Sequence, residues 1–528
     1  MANSVLRICM ERGFLLDKEM LGLLSELDEK IAGQLIDSLK NLKIEERVIT
    51  KNVFTKNFEK IRNILVGGEN RLVIEKFCIN FDIGYAKTEI KTEIKEERGK
   101  VKLISSPVIA PKKVEVLDFV KHFRARYEQM KRILQERDLE NLSSIRKIGS
   151  QKESYTIIAA VVNKRLTKNK NLIIEIEDPS GKASVLINQN KKEVFAKAKD
   201  LLNDDIVAFS VMGNSDILFA NDIIYPDCYL HEKKKYDKDE WVVFTSDLHV
   251  GSKLFLEKNV IKFINWINGN EGDEKQKEIA RKVKYLFLVG DNIDGVGVYP
   301  EQDKMLEIKD IREQYKRLAE ILNTIRKDIK IIMSPGQHDG VRVAEPQPIV
   351  DVSWSEDLHK VENLVLVPNP ALVEIDGNFK ILMYHGASMH SIINELDELR
   401  LNRGHDFPTR VVKEMLKRRH LAPTHGSVVY IPNEKEDDLV ISQIPDVVAT
   451  GDLHRSDISI YNNILLIASS CWQSITPFEE KVGNDPDPCK VPMLNLKTRE
   501  IKILDFSDTK EVENANLEGE KIKWKSMF

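Results

Sequence analysis

Five apolar runs after residue 240 each end on residues able to ligate a metal. Trp241–Ser246 leads into Asp247 and His249, and Tyr285–Gly290 leads into Asp291 and Asp294. Ile331–Gly336 leads into Gln337, His338 and Asp339. Ile381–Tyr384 leads into His385, and Val447–Gly451 into Asp452 and His454. One Asp or His after a strand is ordinarily a turn former or a satisfied polar group. Five such ends within about 210 residues, in a region holding nine of the eleven histidines, form a constellation instead. Carboxylates and imidazoles without thiolates suit Mn²⁺, Fe²⁺ or Zn²⁺. The set exceeds what one ion needs, so two divalent ions sharing a carboxylate are expected. Such a pair, ~3.5–4 Å apart, activates water and clamps phosphate. Phosphoester hydrolysis is the reaction class that follows.

These residues need buried strands whose C-terminal ends converge, as in open α/β sheets and sandwiches. Residues 151–235 carry a different pattern. Tyr155–Val162, Leu172–Glu177, Ala183–Ile187, Ile206–Val211 and Ile217–Ile224 read as strands, with a helix over Glu193–Leu202 after the third. That is the order of an OB-fold β-barrel. OB-folds bind single strands or dock proteins, and the lack of aromatics interleaved with basic residues here favours docking. Residues 1–50 show short amphipathic periods and read as a helical N-terminal domain. The charge-rich stretch 51–115 reads as a solvated linker, and 116–150 as a connecting helix with Phe119, Phe123, Tyr127, Met130 and Leu134 on one face. Residues 511–528 form a tail ending in aromatics interleaved with Lys, read as a closing strand or as a docking element for a sliding clamp.

Length and composition agree with several modules. At 528 residues one compact domain is excluded, and a hydrophobic fraction of 42% excludes wholesale disorder. Five scattered cysteines without a CxxC pair argue against a disulfide framework and for a reducing cytoplasm. No apolar run is long enough to span a membrane. A net charge of −4 excludes a globally basic nucleic-acid binder but leaves local contacts open. Arg418, Arg419 and His420 form one such basic cluster, read either as a contact to a DNA backbone or as a solvated helix end.

The order Asp-x-His, Gly-Asp-x-x-Asp, Gly-Gln-His-Asp, His-Gly, Gly-Asp-x-His resembles the calcineurin-like metallophosphoesterase superfamily. Gly290-Asp291-Asn292-Ile293-Asp294-Gly295-Val296-Gly297-Val298-Tyr299-Pro300 is similar to the small subunits of archaeal family D DNA polymerases. So are Gly336-Gln337-His338-Asp339 running on to Ala344-Glu345-Pro346-Gln347-Pro348, and Lys417-Arg418-Arg419-His420-Leu421-Ala422-Pro423. The resemblance implies a multidomain chain: helical N-terminus, OB-fold, then a two-sheet α/β phosphoesterase over 240–510. It implies two divalent ions, with Mn²⁺ first and Mg²⁺, Fe²⁺ or Zn²⁺ as alternatives. Asp247, His249 and His454 would hold one ion, Asp291 would bridge, and Gln337, His385 and Asp452 would hold the second. His338 would act as general acid, oriented by Asp339. The implied activity is a 3′→5′ exonuclease acting on a DNA primer end beside a large catalytic polymerase subunit in a heterodimer. The alternatives are a non-catalytic scaffold subunit and a stand-alone phosphoesterase. The family usually has Asn at the position of Gln337 and His at that of Asp452. Gln adds one methylene, roughly 1.5 Å of reach, and Asp exchanges a neutral ligand for an anion.

Overall fold

In the computed structural model the described residues are 7, 9–17, 20–21, 36, 48–50, 101–105 and 113–507. Most of the helical domain expected over 1–50, much of the 51–115 linker and the 511–528 tail lie outside them. The chain divides into two units, Met1–Lys95 with Val108–Val114, and Glu96–Pro107 with Glu115–Phe528. In the first, β1 (Leu15–Leu16) pairs in parallel with β2 (Val48–Ile49), and Cys9, Phe14, Met20 and Ile36 are buried.

The second unit holds two six-stranded sheets and a closed barrel. The segment read as linker contributes one strand of this unit, β3 (Lys102–Ser105), antiparallel to β13 (Ala371–Ile375). Four residues are enough to cap a sheet edge, and so short an element leaves no periodicity to detect. Helix α1 (Val116–Gln135) follows, with Tyr127, Met130, Ile133 and Leu134 buried. The barrel strands are β4 (Glu153–Leu166), β5 (Leu172–Asp178), β6 (Gly181–Ile187), β7 (Ile206–Gly213) and β8 (Leu218–Ile224). They close in the order β4-β5-β6-β8-β7, with α2 (Lys192–Lys199) between β6 and β7 in the chain. Ile157, Ile174, Ile176, Val185, Phe209 and Val211 fill its interior, one side of each alternating strand.

The first sheet runs β12 (Leu364–Leu366), β11 (Lys330–Ser334), β10 (Val283–Val289), β9 (Trp241–Thr245), β18 (Lys490–Asn495), β19 (Ile501–Asp505). The second runs β16 (Asp457–Tyr461), β17 (Ile464–Ala468), β15 (Val447–Thr450), β14 (Phe379–Met383), β13, β3. Val242, Phe244, Phe287 and Ile332 of the first face Val373, Ile381, Met383, Val447 and Ile467 of the second in one core. Trp241, Val243, Leu286 and Leu288 point the other way, against helices α3 (Glu257–Ile267) and α4 (Ile311–Asn323). Helix α5 (Pro408–Arg418) covers the outer face of the second sheet through Val411, Val412, Met415 and Leu416. Strands buried on both faces explain the unbroken apolar runs. β9, β10 and β11 are parallel, as are β14 and β15, so within each sheet the loops carrying the expected ligands leave from one edge. The architecture is the helix-flanked two-sheet sandwich expected. Among the described residues no helix is long and apolar enough to cross a membrane.

Candidate metal centre

The chain reverses sharply as each strand ends. Asp247, His249, Asp291, Asp452 and His454 all have positive φ, at 52°, 52°, 48°, 68° and 54°. L-residues with side chains reach this left-handed region at a cost of about 1–3 kcal/mol each, and surrounding structure must hold them there. Here the hold is backbone bonding between loops: Asp247 N–H donates to Gly290 O (3.0 Å), His249 N–H to Asp291 O (3.1 Å) and Gly451 N–H to His385 O (2.9 Å). Close approach fixes a neighbour as well, since a Cβ at Gly336 would lie 2.2 Å from Asp291 Oδ1.

Four imidazoles then share one arrangement. The Nδ1 of His249 lies 3.2 Å from Asp294 Oδ1, that of His454 2.8 Å from Glu479 Oε1, that of His385 2.7 Å from Val289 O and that of His338 2.8 Å from Asp294 O. Carboxylates and carbonyls accept only, so each Nδ1 carries a proton and each ring turns its Nε2 inward, as the nitrogen left to take a metal ion or a second proton. His249 Nε2 and His454 Nε2 are 3.3 Å apart, and His454 Nε2 is 3.4 Å from Asp247 Oδ1. His385 Nε2 is 3.1 Å from Asp291 Oδ2 and 3.8 Å from Asp247 Oδ1, while His338 Nε2 is 4.0 Å from Asp291 Oδ2. Three overlapping groups have ligand geometry: Asp247–His249–His454, Asp247–Asp291–His385, and His249–Asp294–His338.

Electrostatics point the same way. Burial opposes ionisation of Asp291, yet His385 and His338 outweigh it and hold the carboxyl well below its usual range. His385 is driven the opposite way: burial disfavours its cation, but Asp291 and Asp247 prevail and raise its pKa. Burial likewise works against the Glu479 carboxylate, but its hydrogen bond to His454 and that ring's charge hold it at about 2. Buried atoms also stand without hydrogen-bond partners, namely His385 Nε2, Gln337 Oε1 and Asp452 Oδ2. Unpaired buried lone pairs are costly, and a cation among them removes the cost. The donor set, oxygen and imidazole throughout, fits divalent ions of the Mn²⁺, Fe²⁺ and Zn²⁺ kind.

Eight of the expected residues come together here: Asp247, His249, Asp291, Gln337, His338, His385, Asp452 and His454. The two that depart from the family pattern touch each other, Gln337 Nε2 donating to Asp452 Oδ1 at 2.9 Å. The extra methylene of Gln337 thus meets the shorter side chain at 452.

Two expectations are corrected. Asp339 does not orient His338. Its oxygens accept from the N–H of Gly336 and Asn292, the Asn292 amide and the Tyr315 hydroxyl, which ties the β10 and β11 loops together. Burial, with the charge of Asp291 adding to it, pushes that carboxyl up to about 6. The orienting group is the carbonyl of Asp294. The cluster Arg418, Arg419 and His420 is neither solvated nor open to DNA, being 3%, 5% and 3% exposed. Arg418 pairs with Asp205 of the barrel (3.2 Å) and with Glu414. Arg419 donates to Ile441 O (2.9 Å) and Ser442 O (2.7 Å), and His420 Nε2 meets Asp437 Oδ2 at 2.9 Å.

Two functional residues were missed. Asp294 stood in the Gly-Asp-x-x-Asp motif without a role, yet it anchors both His249 and His338. Glu479 carries a helix-start signature with Thr476, and both halves of that capping box form at helix α6 (Pro477–Val482). Nothing local discloses that its other oxygen holds His454.

A helix-flanked two-sheet sandwich with an imidazole–carboxylate centre at its strand ends is the build of a calcineurin-like phosphoesterase. Residues 242–458 match the DNA polymerase alpha/epsilon B-subunit family. The DNA polymerase II small subunit of Methanothermobacter thermautotrophicus is similar at 36% identity, over 74% of this chain and 80% of that one. That of Archaeoglobus fulgidus is similar at 36% identity over 82% and 88% respectively. Among solved structures, an archaeal phosphodiesterase is similar at 16% identity over 50% of this chain and 98% of that one, with a TM-score of 0.25. The chain belongs to the family of archaeal DNA polymerase II small subunits, the small subunits of family D.

Proposed function

We propose that this subunit carries a metal-dependent 3′→5′ exonuclease, hydrolysing the terminal phosphodiester of a primer for a large catalytic polymerase subunit to which it binds in the cytoplasm. One observation carries the reading: four Nδ1-anchored imidazoles turn their Nε2 atoms onto the buried carboxylates Asp247 and Asp291, a donor set whose buried charge a divalent cation would neutralise. A scaffold would have no use for five ligand residues held at positive φ.

Asp247, His249 and His454 would hold one divalent cation, and Asp291, His385, Gln337 and Asp452 the other, with Mn²⁺ the first candidate. When bound, the pair supplies Lewis acidity for a hydrolytic water and charge neutralisation at the phosphate. The chain's own residues do the rest. Asp294 O fixes the His338 tautomer through Nδ1, so Nε2 is the nitrogen that exchanges a proton. The ring is 21% exposed on the rim of an otherwise closed centre, where it reaches the leaving 3′ oxygen and protonates it. Asp294 and Glu479 hold His249 and His454 against rotation. The five-stranded barrel is assigned as an OB-fold, and Arg418–Asp205 fastens it to the phosphoesterase as one platform for the large subunit.

The test supplies a 3′-mismatched primer and Mn²⁺ to the full chain, alone and with the large subunit. Mononucleotides released from the 3′ end, abolished by chelation and cut by about 10²–10³-fold in His338→Ala, are expected. Absence of metal-dependent release in both settings contradicts the proposal.

A further inference from the structure

We infer that His390 is a further ligand of the second cation, on the Asp452 side, and that His405 orients it; this rests on the two-cation reading above. The two halves of the centre are unequal. Asp247 is served by two imidazoles, His249 and His454, whereas the group built on Asp291 has His385 alone. Asp452 closes that poorer side. Its Oδ1 accepts from Gln337, and its Oδ2 is buried with no hydrogen-bond partner. The polar group facing Oδ2 is His390 Nε2, at 3.7 Å. That is too long for a hydrogen bond. Two ligand atoms each about 2.1 Å from one ion lie at most about 4.2 Å apart, so the separation suits a shared cation without backbone movement.

His390 also repeats the arrangement of the other imidazoles. Its Nδ1 is 3.1 Å from a partner, here His405 Nε2, and its Nε2 looks toward the buried Oδ2 of Asp452. Of two facing ring nitrogens only one carries the proton. With Nδ1–H of His390 donating to His405, the bare Nε2 is the ligand atom. Position is fixed by the chain as well. The His385-Gly386 turn leads into the helix Met389–Glu395, and Met389 N–H donates to Gly386 O at 2.8 Å, so both imidazoles stand on one short segment. The side chain of His390 is 54% exposed, so it forms the outer wall of the site and its removal opens no core cavity.

The experiment titrates Mn²⁺ into the chelator-stripped full chain by calorimetry, for wild type, His390→Ala and His405→Ala, with thermal melts as a folding control. Two equivalents are expected for wild type. In His390→Ala the first equivalent is unchanged and the second weakens by about 10-fold or more, as removal of ligand-supporting groups does elsewhere. His405→Ala weakens the second equivalent by less. A second equivalent unaltered in His390→Ala, or both equivalents weakened alike, overturns the inference while leaving the two-cation reading intact. Fewer than two equivalents in wild type overturns both.

Discussion

Two buried clusters in this protein are made of the same residue types and behave in opposite ways. In one, Asp247 and Asp291 face the Nε2 atoms of histidines anchored through Nδ1, on loops held at positive φ. In the other, Asp437 accepts from Arg126 of α1 and from His420, with His122 Nε2 at 3.3 Å. Close by, Arg418 pairs with Asp205 and Glu414. The second cluster brings its own cations as guanidinium groups, and those guanidiniums join α1 and the barrel to the sandwich. The first has none and presents lone pairs. Buried acid and histidine are therefore not a functional signal in themselves; a site is marked by carboxylates without a resident cation and by imidazoles anchored to look at them.

The comparison breaks most visibly at Asp247. Asp247→Asn should lower metal-dependent nucleotide release by on the order of 10³-fold or more with the fold retained, read by single-turnover hydrolysis. On the other side, Arg418→Met takes the guanidinium from the buried Asp205 carboxylate, which keeps only the Leu202 N–H. A loss of about 3–5 kcal/mol in urea unfolding is expected, with release per folded molecule unchanged. His338→Ala should cost about 10²–10³-fold in release while both cation equivalents still bind, because its role is proton transfer. A substrate with a leaving group that needs no proton should narrow that gap.

The smallest effect is a pH dependence set by a carboxyl beneath the centre. Glu345 is buried under Tyr384, and burial raises its carboxyl from 4.5 to about 8 despite the Tyr384 hydrogen bond. A carboxyl raised in the folded state favours folding while protonated. Its contribution is complete below about 4.5 and is lost as pH rises through about 8. Glu345→Gln should flatten the fall in melting temperature of the metal-free protein between about pH 5 and pH 9; an equally steep fall in the variant would refute this.

Much of this was legible because strand ends are local. An apolar run closed by Asp-x-His states both that a strand is buried and what waits at its end, and five such runs placed seven ligand candidates and the acid His338. The barrel was equally open to reading, since its strands alternate and its turns are short. What escaped depends on tertiary approach. The Arg418–His420 run looks like a cationic surface until Asp205 and Asp437, far away in the chain, are brought to it. Asp339 follows His338 directly, yet the turn sends its carboxylate back to Asn292 and Gly336, while a carbonyl, invisible in any composition, takes the histidine. β3 lies in a charged segment and becomes a strand only because β13 offers a free edge.

The central claim is that the Asp291 cluster acts and the Asp437 cluster holds. It is tested most directly by carrying Asp291→Asn and Asp437→Asn side by side through Mn²⁺-dependent hydrolysis and thermal melting. The account predicts that Asp291→Asn abolishes hydrolysis without lowering the melting temperature of the metal-free protein. It predicts that Asp437→Asn, which strands Arg126, lowers the melting temperature and leaves the rate per folded molecule unchanged. Undiminished hydrolysis in Asp291→Asn, or a catalytic loss confined to Asp437→Asn, would contradict it.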